Sequence, residues 1–224
     1  MRVKARAVLR WAIPLTALAG LIGWGWWTLR SPEFAARRLI SELGGSRPGR
    51  AERWLIALGL VESRPARAPL AVAGELIAIG QPAVGPLLEA LRTGDLETRR
   101  WAGWALSEIG PSDPGAAAAL AAALGDEDAT VRACAAGALG KMGASAAPAV
   151  EALIAALADE NPAVAITAEQ ALAQIVPSLP AGPTADRAAE ALRRARQRAA
   201  GEDGGFRAWP EPIIPPLYRS SPPG

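Results

Sequence analysis

Apolar residues recur at helical spacing, i, i+3, i+4, i+7, through most of residues 67–199, and they return in the same phase. One set of stripes reads Val72, Glu75, Leu76, Ile79; Ala102, Ala105, Leu106, Ile109; Ala135, Ala138, Leu139, Met142; Ala168, Ala171, Leu172, Ile175, with Glu75 the one polar intruder. These segments end at Gly80, Gly110, Gly143 and Val176, so successive copies stand 30, 33 and 33 residues apart. Between them run second stripes: Val84, Leu87, Leu88, Leu91; Ala117, Leu120, Ala121, Leu124; Val150, Leu153, Ile154, Leu157. Proline near each second start (Pro86, Pro114, Pro148) suits a helix N-terminus, and glycine after three of the first segments suits a C-terminus. A two-helix unit of this period cannot bury its apolar face alone, so copies must stack. The pattern predicts an all-α chain, a right-handed α-solenoid of antiparallel helix pairs.

The flanks add different elements. Residues 1–10 are basic, and residues 11–29 carry no charge. At a rise of about 1.5 Å per residue such a run approaches the roughly 30 Å of a bilayer core. Trp11 stands at one end and Trp24, Trp26 and Trp27 at the other, which suits the two membrane interfaces. A transmembrane helix over 11–29 is therefore predicted. The alternative, a signal peptide cut after Ala17-Leu18-Ala19, leaves the apolar run continuing past the cut. Basic residues are denser before the span than after it, which puts residues 1–10 in the cytoplasm and the repeats outside it. Residues 32–62 read as two N-terminal capping helices, with stripes Ala36, Leu39, Ile40, Leu43 and Ala51, Trp54, Leu55, Leu58. A closing helix over 184–199 buries Ala188, Ala191, Leu192 and Ala195 and turns five arginines outward. Residues 200–224, rich in Gly and Pro, read as a disordered tail; the alternative is a docking segment at Pro212–Pro215.

Composition then narrows the chemistry. Histidine is absent, which removes the commonest general base and metal ligand. The single cysteine, Cys134, excludes an internal disulfide and a thiolate cluster. Asp126-Glu127-Asp128 lacks calcium-loop spacing, and Ser107, Ser112 and Ser145 have no histidine to activate them. No catalytic residue, cofactor or metal site is predicted, and the chain is not expected to be an enzyme. Net charge is +2, but residues 1–30 contribute +5 of it, which leaves the rest acidic and argues against a nucleic-acid partner. A protein partner is the expectation. Trp101 and Trp104 fall off the stripe, three apart, and form a candidate partner site on one outer face. The alternative is that they pack under the N-terminal helices near Trp54 or touch the bilayer interface. Outer positions of the second helices are mostly alanine (Ala118, Ala119, Ala122, Ala152, Ala155), with Glu89 and Glu151 as further candidate contacts.

Two stretches resemble a known family. Asp126-x4-Val131-Arg132-x2-Ala-Ala-x-Ala-Leu-Gly140-x-Met-Gly143 and Gly80-Gln-Pro-Ala-Val-Gly-Pro-Leu-Leu-Glu-Ala-Leu91 are similar to the HEAT repeat of the phycobilisome-lyase type. The resemblance covers about half of the chain. It implies a structural Asp/Arg ladder between repeats, matched by Asp95 with Arg99 and by Asp126 with Arg132. It ends at Asp159, because Ala165 replaces the next arginine. The repeat is widespread in proteins that only bind other proteins. The expected function is thus a membrane-anchored scaffold or adaptor, and the alternative is an accessory or lyase-like enzyme component related to bilin lyases.

Overall fold

A computed structural model describes residues 31–43 and 67–201, all helix, turn or irregular chain. In order these are α1 (Pro32–Leu43), α2 (Pro69–Ile79), α3 (Val84–Thr93), α4 (Leu96–Ile109), α5 (Gly115–Ala123), α6 (Ala129–Met142), α7 (Val150–Ala156), α8 (Pro162–Ile175) and α9 (Pro183–Gly201). The expected span at 11–29 with its tryptophans, the second capping helix and the tail beyond Gly201 lie outside the described residues. Among the described residues no single helix is long and apolar enough to cross a membrane.

The helices form a solenoid of two rows. The first-helix row is α2, α4, α6 and α8; the second is α3, α5 and α7, with α9 packed on α7 and α8 in the next place. Helix α1 lies against α2, α3 and α4 and covers the start of the stack. Both sets of stripes supply the core. Val72, Leu76, Leu106, Leu139 and Leu172 from the first row and Leu87, Leu120 and Leu153 from the second are fully buried. Glu75 is exposed and bonds Arg67 instead, so its place in the stripe costs no buried charge.

Local signals set the ends of the helices. Three first-row helices begin on a side-chain cap in one register. Asp95 accepts from Thr98 N at 2.9 Å, Asp128 from Thr130 N and Val131 N at 3.1 and 3.2 Å, and Asn161 from Ala163 N at 2.9 Å. Each cap satisfies N–H groups the helix itself leaves open. Gly80, Gly110 and Gly143 end α2, α4 and α6 with φ of 72°, 63° and 57°, a conformation that L side chains rarely adopt. Val176 cannot do this. It keeps φ at −50°, and α8 runs on into a 3₁₀ turn, Val176–Ser178.

Candidate functional site

The first-helix row is closed by small residues. A Cβ on Gly140 would stand 3.0 Å from the Ala171 Cα and 3.2 Å from its Cβ, so α6 and α8 touch nearly backbone to backbone. Gly103 leaves 3.2 Å for such a carbon against the Cys134 Cβ, joining α4 to α6. Cys134 is a packing residue here, and burial pushes its thiol up to about 12.

Trp101 occupies in α4 the place that Cys134 holds in α6, the side turned to the preceding first-row helix. It is 1% exposed. This corrects the expectation of an outer face carrying both indoles: Trp101 is core. Off-stripe does not mean solvent in a solenoid, because a first-row helix has neighbours before and behind it as well as its own partner. Trp104 is half-buried and meets Trp101 edge to face, centroids 5.8 Å apart. The Trp101 Nε1 is buried with no hydrogen-bond partner among the described residues.

The turns between the rows carry arginine–aspartate pairs that cross from one repeat to the next. Arg132 grips Asp159 through Nε and Nη2 at 2.8 and 2.9 Å, and its Nη1 donates to the Asp126 and Glu127 carbonyls at 2.9 and 3.1 Å. One repeat earlier, Arg99 meets Asp126. Here Nη2 reaches Oδ1 only at 3.3 Å, while Nε stands 3.0 Å from Oδ2 at an angle too poor for a hydrogen bond and is left buried without one. Glu127 also accepts from Nη2 at 2.7 Å, and Nη1 donates to the Gly94 carbonyl at 3.3 Å. The expected pairings of Asp95 with Arg99 and of Asp126 with Arg132 are corrected: Arg132 meets Asp126 only at its main-chain carbonyl, each arginine pairs with the aspartate of the next repeat, and Asp159 is thereby part of the ladder. Asp95 is the counterpart of Asp128, both N-caps, and the acceptors of the ladder are Asp126 and Asp159. A further pair, Arg100 with Asp128, was not anticipated; Asp128 serves cap and pair together. These contacts hold the carboxyls of Asp128 and Asp159 below the usual carboxylate range, the arginine hydrogen bond being the main cause and burial opposing it. The sequence signal for the ladder was an Arg-to-Asp offset of 27 residues, twice repeated.

The second-helix row is not closed in this way. Between α3 and α5 lies a groove of about 310 Å³. Leu88, Leu91, Ala119, Ala122 and Ala123 give it apolar walls; Arg92 and the Arg99–Asp126 pair supply its polar lining. Ala118 and Ala122 are exposed, so the row presents a smooth surface of small side chains. The other candidates sit on the same row but are already partnered. Glu89 accepts from Arg92 at 2.8 Å, and Glu151 accepts from Arg187 of α9 at 2.7 Å. Both pairs are exposed and contribute little to stability. No group of acidic or cysteine side chains suited to a metal ion occurs among the described residues.

No curated protein matches the chain. Among solved structures, the complex of CpcE and CpcF of phycocyanin lyase from Nostoc sp. PCC7120 is similar. The match is 19% identical, covers 76% of this chain and 91% of that one, and has a TM-score of 0.53. An engineered protein is 22% identical over 77% of this chain and 83% of its own, with a TM-score of 0.42. The first likeness concerns fold alone. The model of HEAT repeats matches residues 53–140 and, overlapping, 86–173, together more than half of the chain. With its stacked helix pairs, capped first helices and inter-repeat ladder, the chain belongs to the HEAT-repeat family.

Proposed function

We propose that this protein is a membrane-anchored scaffold or adaptor that binds other proteins along its second-helix row and carries out no catalysis of its own. The observation behind the reading is the contrast between the rows. Glycine and alanine bring first-row helices into near-backbone contact, whereas the second row keeps a groove of side-chain size flanked by exposed alanines. Such a surface suits a segment of another protein, which can lay apolar side chains against it and meet charged groups at the groove's rim. Residues 11–29 supply the anchor in this reading, with the N-terminus cytoplasmic and the repeats extracytoplasmic.

A second reading rests on the fold likeness to a phycocyanin lyase complex. In it the chain is an accessory to an enzyme, and the groove holds the catalytic partner. One experiment addresses both. The full-length protein is crosslinked in native membranes, the membranes are washed in alkaline carbonate, and the adducts are identified. The scaffold reading expects the protein in the washed pellet with a defined protein adduct. Release by carbonate contradicts the anchor, and recovery without any adduct contradicts the scaffold. An adduct with an enzyme whose activity falls when this chain is deleted selects the accessory reading.

A further inference from the structure

The two long edges of the solenoid differ in chemistry. One edge consists of the turns that follow the first-row helices, residues 80–83, 110–114, 143–149 and 176–182. These turns hold a single charged residue, Asp113, which accepts from the Gly115 N–H at 3.0 Å as α5 begins. Their exposed side chains are mostly proline and alanine, with Pro82, Pro114, Pro148, Pro177 and Pro180 all at the surface. In the adjoining helix turns Glu108 pairs with Lys141 at 3.5 Å and Glu151 with Arg187 at 2.7 Å, and Asp186 adds one acid. The opposite edge, where first-row helices begin, is acidic. Residues 94–97, 124–128 and 159–161 hold seven acids. Arg99, Arg100 and Arg132 meet them, so four negative charges remain once these partners are counted.

Helix α1 shows which edge the N-terminal segment reaches. It runs antiparallel to α2. Its last turn brings Glu42 within 3.6 Å of Arg67, which precedes α2, and α1 also packs on the Gln81–Ala83 turn that follows α2. Pro32 therefore stands at the uncharged edge and Leu43 at the acidic one. Three residues on from Leu29 the chain is at Pro32, a step of at most about 11 Å. Phe34 lies in the first turn of α1, opposite the buried stripe of Ala36, Leu39 and Leu43, and is 43% exposed. Arg37 is exposed beside it and has no ion-pair partner among the described residues, while Glu33 keeps these first turns neutral overall.

From this we infer that the uncharged edge of the solenoid rests on the bilayer surface. The inference rests on the anchored reading and specifies how the anchored domain stands. Phe34 and the exposed prolines lie in the interfacial layer, and Arg37 lies among the headgroup phosphates. Proline has no N–H, so turns built with it bring fewer donors that need water to the interface. The acidic edge points away. Helix α6, with 14 residues at about 1.5 Å each, holds the edges about 21 Å apart. That is more than two Debye lengths of about 8 Å, so anionic headgroups that would repel the acids at contact scarcely reach them. The second-helix row then faces sideways, where a protein partner has free access.

The test uses the full-length protein in nanodiscs of phosphatidylcholine with phosphatidylglycerol. A fluorophore is attached to one introduced cysteine at a time. Phe34→Cys, Ala144→Cys and Ala181→Cys report on the uncharged edge, and Leu96→Cys and Glu160→Cys on the acidic edge. All of these positions are exposed, and the native Cys134 is buried and stays unlabelled. Lipids carrying a spin label on the headgroup should quench positions 34, 144 and 181 and leave 96 and 160 bright. Iodide in the water should do the reverse. Lipid quenching that is equal at both edges, confined to position 34, or stronger at the acidic edge would overturn the inference. Positions 144 and 181 shielded from iodide but not quenched by lipid would mean that a protein covers this edge, and would overturn it too. A chain that washes out of the nanodiscs removes the anchor along with the inference. One that stays in them without the expected pattern removes only the orientation.

Discussion

Alanine does opposite things in the two rows. In the first row, Ala171 lies under Gly140, and an added carbon there would press on backbone. In the second row, Ala118 and Ala122 of α5 face outward, and the groove beside them stays open. The helices differ as well: α4, α6 and α8 each have 14 residues, whereas α5 has 9 and α7 has 7. A short helix gains less from its own hydrogen bonds and depends more on what it packs against. Small side chains inside a stack thus bring backbones together and make it rigid. Small side chains outside leave a surface with little side-chain entropy to lose on binding, available to whatever covers it.

Substitutions that strike one row and spare the other test this contrast. The largest loss is expected at Trp101. Trp101→Ala should destabilise by about 3–5 kcal/mol in denaturant titration, because a fully buried indole leaves a cavity. Trp104→Ala, half-buried beside it, should cost about 1–2 kcal/mol. Equal losses would contradict the core position of Trp101.

The two ladder pairs come next. Arg132→Ala strands Asp159 and two carbonyls and should cost about 3 kcal/mol, near the lower end for a broken buried pair. Arg99→Ala should cost about half as much, since Asp126 and Glu127 lose weaker or more exposed contacts. The Asp159 carboxyl is depressed in the folded protein, so its stabilisation is complete above an unfolded carboxyl's pKa of about 4. It is lost as pH falls through the lower folded value. Melting temperature against pH should therefore be flatter on the acid limb in Arg132→Ala than in the parent. An unchanged limb would mean that Asp159 gains nothing from Arg132.

Smaller effects separate the rows most cleanly. Gly140→Val should cost about 1–3 kcal/mol, because the new carbons meet the α8 backbone. Ala122→Val, on the exposed side of α5, should change stability by less than about 0.5 kcal/mol. A similar loss at both sites would erase the distinction between closed and open rows.

Much of the fold was legible because burial repeats. Leu76, Leu106, Leu139 and Leu172 share one phase, and all four are fully buried. What failed did so where the relevant neighbour lay in another repeat. Asp95 and Arg99 are four residues apart and look like partners, yet Arg99 reaches forward to Asp126. Trp101 lies off the stripe of its helix and is buried all the same, because a first-row helix buries more than one face. The groove has no pattern of its own, since it arises from the distance between two backbones. Its one trace in the sequence was the run of outward alanines in α5, which marked the row without marking the opening.

The central claim is that the second-helix row is the working face. A photo-crosslinking amino acid placed at Ala118 on α5, and separately at Gln174 on α8, tests it in native membranes. Both positions are exposed, and they belong to opposite rows. The account predicts a discrete protein adduct from position 118, suppressed by Ala122→Trp, and none from position 174. An adduct from 174 alone, or one from 118 that persists with the groove filled, would contradict it.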